Sequence, residues 1–125
     1  MADDRWKKLD VWKIADELAF KIYLATKKFP KEEMYGLTSQ VRRSALSIPT
    51  NIVEGYSRKS DKELSHYLNI SFASLAETKY LLYFSKRLEY LSEKNYVEFE
   101  NDYDILGAKL WKLYVKVGKA SNTCI

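Results

Sequence analysis

This 125-residue chain is predicted to be all-α, an antiparallel up-and-down four-helix bundle, on three observations. Four segments repeat apolar residues at spacings of three and four, which makes one stripe on a helix. No stretch alternates polar and apolar residues long enough to form a sheet strand. Only four glycines and two prolines are present, too few for a turn-rich β-sandwich. Striped helices joined by short connectors pack as a bundle. The length fits one domain covering residues 1–125.

The first stripe is Val11, Ala15, Leu18, Ile22, Ala25 and Phe29, opened by Asp10 and stopped by Pro30. It predicts a helix over 10–28. The second is Leu37, Val41, Ala45, Ile48 and Ile52, giving a helix over 37–55. Pro49 falls inside it. A proline there removes one donor and crowds the preceding turn, so a kink rather than a stop is expected. Gly55 suits a helix stop or a close backbone approach. Ser60 followed by Glu63 is a capping box that opens a third helix over 61–90. Leu64, Leu68, Ser71, Leu75, Thr78 and Leu82 form its stripe. Ile70, Ala73, Ala76, Leu81, Phe84 and Leu88 add a second, as in a helix that is central or meets another subunit. The segment LSEKNYVEFEND reads as a connector. Phe99, Tyr103, Leu106, Leu110, Leu113 and Val117 then predict a fourth helix over 97–118, fraying into a polar SNT tail.

The composition narrows function by exclusion. One cysteine, Cys124, cannot form an internal disulfide. No segment has the run of apolar residues that spans a membrane, and the start MADDRWKKLD lacks the apolar core of a signal peptide. A cytoplasmic protein without membrane contact is therefore expected. The four glycines are too scattered for a phosphate loop or a dinucleotide fingerprint. Glu63 and His66 supply Glu-x-x-His spacing once, and a di-iron bundle needs it twice. With one histidine, neither a zinc site nor a hydrolytic triad is expected. The acidic run Glu98, Glu100, Asp102 and Asp104 reads as a solvated helix start. The expectation is a non-enzyme with no metal and no cofactor.

Charge is uneven along the chain. Residues 1–60 hold 12 Lys and Arg against 8 Asp and Glu, whereas residues 61–125 hold 9 of each, so the whole +4 excess lies in the first half. The segment QVRRSALSIPTNIVEGYSRKS, residues 40–60, concentrates it. One reading is a phosphate-contacting patch of Arg42, Arg43, Arg58 and Lys59, helped by Lys27, Lys28 and Lys31. The contact would be with RNA or DNA backbones and weakly selective. The competing reading is a polar network that fixes helix register around Pro49, within a protein-binding or structural scaffold. In that reading Asn51 and Glu54 are partly inward, and a buried Glu54 needs an arginine partner. Ten tyrosines and three tryptophans suit half-buried positions at subunit contacts.

The same segment resembles a known family. FPKEE, GLTSQVRRSA and SIPTNIVEG, with the later LNISFASLAETKYLL, are similar to the four-helix proteins encoded within intervening sequences of bacterial 23S ribosomal RNA genes. That family is related to the accessory protein of diversity-generating retroelements. The resemblance covers about residues 9–90. It implies a bacterial cytoplasmic protein, a barrel-like homopentamer, and a basic surface that meets nucleic acid and a reverse transcriptase in the retroelement relatives. By the resemblance, the motif residues are Arg42, Arg43, Ser47, Pro49, Asn51, Glu54, Gly55, Arg58 and Glu77. Val53 stands where relatives often have Ala, and Ala73 and Ser74 stand where they often have Gly and Ser.

Overall fold

The computed structural model describes residues 4–123. A 3₁₀ turn at Arg5–Lys8 leads into α1 (Asp10–Thr26). A second 3₁₀ turn, Lys31–Glu33, precedes α2 (Leu37–Tyr56). Then come α3 (Asp61–Arg87) and α4 (Glu93–Thr123). No strand occurs among the described residues. Each helix packs on its sequence neighbours, and α4 closes the square against α1. This up-and-down order creates two ends. The connector end joins the C-termini of α1 and α3 to the N-termini of α2 and α4. The open end gathers the N-termini of α1 and α3 with the C-termini of α2 and α4.

The four predicted stripes form the core. Ile22, Val41, Ile48, Ile52, Leu68, Leu82, Leu106 and Leu110 are fully or almost fully buried. Tyr103 is also fully buried, and its hydroxyl has no hydrogen-bond partner among the described residues. Burial pushes that phenol well above the ordinary tyrosine range. The α2–α3 seam is different, since small residues let the backbones approach. Thr78 Oγ1 and Ser44 Oγ lie 2.9 Å apart, and Ser47 and Ser74 share a 2.8 Å hydroxyl contact. Ser71 Oγ donates to the Ile48 carbonyl at 2.8 Å. A Cβ added to Gly55 would come within 2.8 Å of Leu64 Cδ1 and 3.1 Å of Tyr67 Cβ. The glycine thus marks a close approach, one residue before α2 ends.

Pro49 does not stop α2, and its ring is buried. Neighbouring side chains add donors around the missing amide. Thr50 Oγ1 donates to the Leu46 carbonyl at 2.7 Å, and Asn51 Nδ2 to the Ser47 carbonyl at 2.8 Å. These bonds, with that from Ser71, add donors to carbonyls on the turn that proline disturbs.

Helix boundaries differ from expectation at five ends, α2 running one residue past 55 to Tyr56. First, α1 stops at Thr26, two residues early, where the Thr26 hydroxyl folds back to the Ile22 carbonyl at 2.8 Å. Second, α3 stops at Arg87, three residues early. Glu89 adopts a left-handed φ of 63°, the Tyr90 amide donates to Ser85 O at 3.0 Å, and the Glu89 amide donates to Lys86 O at 2.9 Å. That is a Schellman stop, usually built on glycine. Third, α4 starts at Glu93, four residues early, because Ser92 Oγ accepts the Asn95 amide at 3.1 Å and caps it. Most of the expected connector is therefore helix. At its far end α4 runs through Gly118 to Thr123, beyond the expected 118.

Candidate nucleic-acid interface

The seven predicted basic residues do not form one patch. Lys27, Lys28 and Lys31 are exposed near the connector end, and none forms an ion pair among the described residues. Arg58 and Lys59 follow α2 at the open end. The 20 residues of α2 hold the two groups about 30 Å apart. Arg42 is turned inward to α1. Its Nε donates to Thr26 Oγ1 at 2.7 Å, a terminal nitrogen donates to the Tyr23 carbonyl at 3.3 Å, and the guanidinium lies 4.9 Å from the Tyr23 ring centre. It fastens α2 to the last turn of α1, where a cation is favoured. Arg43 pairs with Glu77 at 2.7 Å across the α2–α3 seam. This pair is exposed and adds little stability.

The motif residues sort in the same way. Ser47, Asn51 and Gly55 face the α2–α3 seam, where Asn51 Nδ2 also reaches Ser47 Oγ at 2.9 Å, and Pro49 is buried. Glu54 does not. Its side chain is 49% exposed and meets Arg58 at 3.4 Å within one helix turn. The expected inward carboxylate is thus a surface group, because position 54 falls outside the stripe of Ile48, Ile52 and Gly55. Arg58 is oriented instead by Tyr67, whose hydroxyl accepts at 2.7 Å and whose ring centre lies 4.8 Å from the guanidinium.

The topology assembles a basic surface from three separate stretches. At the open end, Arg5 of the first 3₁₀ turn lies over the Tyr56 ring at 5.5 Å, which brings the chain start to the end of α2. A depression of about 520 Å³ is lined by Arg58, Lys62, Glu63, His66 and Tyr67. Another, about 360 Å³, brings Lys8 and Asp10 together with Lys109 and Lys112. Lys116 and Lys119 extend the series along exposed turns of α4. Residues 4–10, 54–63 and 109–120 together hold ten Lys and Arg against five Asp and Glu, an excess larger than that of the whole chain. Of these ten, Arg58 and Lys59 were named from sequence, whereas Arg5, Lys7, Lys8, Lys62, Lys109, Lys112, Lys116 and Lys119 were missed. The α4 lysines recur at spacings of three and four near the helix C-terminus, a placement that the helix dipole alone also favours.

Residues 7–112 match the family model described as 23S rRNA-intervening sequence protein. The chain belongs to this family. A crystal structure from Bacteroides thetaiotaomicron, of a protein of unknown function from the S23 ribosomal protein family, is similar in fold. It is 27% identical, with a TM-score of 0.76, covering 83% of this chain and 94% of that one. Among curated proteins, none matches significantly. In this intervening-sequence protein no group of three or more His, Cys, Asp or Glu could hold a metal among the described residues. His66 stands edge-on to the Tyr67 ring, and Cys124 lies outside the described residues. No described helix is long and apolar enough to cross a membrane.

The connector end of the intervening-sequence protein is tied rather than open. Glu33 accepts the Leu37 amide at 3.2 Å and the Tyr90 hydroxyl at 3.1 Å. One carboxylate thereby caps α2 and links the α1–α2 connector to the α3–α4 connector. The Phe29 and Tyr90 rings meet there at 5.5 Å. Desolvation and the bond to Glu33 raise the Tyr90 phenol above its ordinary range. Within α4, desolvation and a bond to Glu100 push the Tyr96 phenol up to about 12.

Proposed function

We propose that this intervening-sequence protein is a non-enzymatic, homo-oligomeric helical bundle that contacts the phosphates of RNA or DNA through its open end. The gathering of ten cations from three chain segments at that end carries the reading. Lys59, Lys62, Lys112 and Lys116 are exposed and form no ion pair among the described residues, so their charge is available to an anion. Such a surface reads backbone charge rather than base sequence. The family resemblance supports a pentamer, and a ring would repeat the basic end and multiply a modest affinity. It also supports a cytoplasmic setting and a retroelement-type role using the same surface. Lys27, Lys28, Lys31, Arg42 and Arg43 lie outside this surface.

Two measurements test the proposal. Sedimentation of the purified chain at micromolar concentration is expected to show an oligomer, and a monomer contradicts that part. Fluorescence anisotropy with labelled RNA and DNA of unrelated sequences, over a salt series, tests the rest. Four phosphates neutralised per site would give a slope of log affinity on log salt of about −3.6 for duplex DNA and about −2.8 for single strands. No retention at low salt would favour a protein-binding scaffold.

A further inference from the structure

We infer that the nucleic acid met by the open end is single-stranded, and that one of its unpaired bases stacks on Trp111. The inference rests on the phosphate-contact reading and names the class of strand. Of the three tryptophans, Trp6 and Trp12 are half-buried and meet each other edge to face at 4.8 Å. Trp111 is 52% exposed and stands within the basic stretch of α4. Its ring is held from the protein side. The Tyr114 ring, one turn on, lies 5.5 Å away and 30° from parallel, and the Phe72 ring of α3 lies 5.8 Å away. An aromatic platform fixed before the ligand arrives loses little freedom when a base settles on it.

The charge around this ring is of one sign. From Ile105 to Ala120, α4 carries four lysines and no acidic residue, and α3 has no Asp or Glu from Leu64 to Ala76. Asp104, just before this stretch, is paired with Lys79. Lys112 adjoins Trp111 in the chain, and Lys119 lies about two turns further toward the open end. Both are exposed and form no ion pair among the described residues. Gly118 follows Trp111 by seven residues and so shares its side of α4. A Cβ added to Gly118 would meet nothing within 4 Å, so no side chain there crowds a strand leaving the ring toward the open end. An exposed ring amid cations alone suits a ligand that joins negative charge to aromatic faces. A nucleotide strand has both. A duplex keeps its base faces stacked inside and offers phosphates, whereas an unpaired base offers a free π-face, whatever its sequence. The lysines thus hold either form, and Trp111 favours the single strand.

Fluorescence anisotropy with a labelled single strand, and with the same sequence as a duplex, tests the assignment. Trp111→Ala is expected to weaken single-strand binding about 5- to 100-fold, the worth of one stacked base, and to leave duplex affinity within about twofold. Because no charge changes, the salt slope for each ligand is expected to stay at its wild-type value. Trp111→Phe keeps a ring and is expected to hold single-strand affinity within about fivefold of wild type. Dichroism melting and sedimentation check that both variants fold and assemble. A second test leaves the chain unaltered. A strand of abasic nucleotides keeps the phosphates and lacks the bases, and the wild type is expected to bind it about as weakly as Trp111→Ala binds the ordinary strand. Unchanged single-strand affinity in Trp111→Ala, an equal loss for the duplex, loss of assembly, or undiminished binding of the abasic strand overturns the stacking site and leaves the phosphate reading standing. A wild type that retains neither strand form overturns both.

Discussion

The two ends of this bundle treat charge in opposite ways. At the connector end Glu33 is half-buried and accepts from both an amide and a tyrosine hydroxyl, so its charge is used internally. At the open end Glu54 is exposed and lies 3.4 Å from Arg58, and Lys59 and Lys62 form no ion pair among the described residues. At the connector end a carboxylate joins elements, although Lys27, Lys28 and Lys31 there also face solvent, and the open end gathers more cations from three chain segments. If nucleic acid meets the open end as proposed, ligand contact is separated along the bundle axis from the Glu33 ties.

Substitutions at the two ends measure that separation. Gly55→Ala, near the open end, forces a Cβ against Leu64 and Tyr67 and is expected to cost about 1–3 kcal/mol. Denaturant unfolding reads this, and a neutral result would mean that the α2–α3 seam can open freely. Glu33→Ala removes the α2 cap and strands the Tyr90 hydroxyl, for an expected loss of about 1–2 kcal/mol. Glu89→Gly relieves a left-handed side chain at the end of α3 and is expected to raise stability by about 0.5–1 kcal/mol. Glu54→Gln is expected to shift stability by no more than about 0.5 kcal/mol, in contrast with Glu33. If Glu54 proved as costly as Glu33, the two ends would not differ in the way described.

Much of the fold was legible because core stripes are local. Leu64, Leu68, Ser71, Leu75, Thr78 and Leu82 are all buried, as their spacing predicts. The small polar members Ser71 and Thr78 were legible only as stripe positions, whereas their hydroxyl partners depend on how α2 meets α3. The end of α3 was not legible, because Glu89 takes a conformation for which glycine is the usual signal. The α4 start was signalled by Ser92, but the polar run after it read as a connector. Charge was least legible of all. Counting by sequence halves placed the excess before residue 60, yet helix reversal puts Lys112 beside Lys8, and Arg5 beside Tyr56. Arg42 looked like a phosphate ligand because sequence cannot reveal that the carbonyl of Tyr23 and the hydroxyl of Thr26 hold it.

The central claim, that the open end rather than the connector end meets nucleic acid, is tested most directly by comparing two sets of lysines. One variant changes Lys59, Lys62, Lys112 and Lys116 to alanine, and the other changes Lys27, Lys28 and Lys31. Both are titrated with the same labelled RNA and duplex DNA across a salt series, with protomer assembly checked in each. The open-end variant is expected to lose affinity about equally for all sequences, and to flatten the salt slope by about 0.9 per lost duplex contact. The connector-end variant, measured as an intact oligomer, is expected to keep the wild-type slope. The reverse pattern, with the slope lost from Lys27, Lys28 and Lys31 and retained in the open-end variant, would contradict the account.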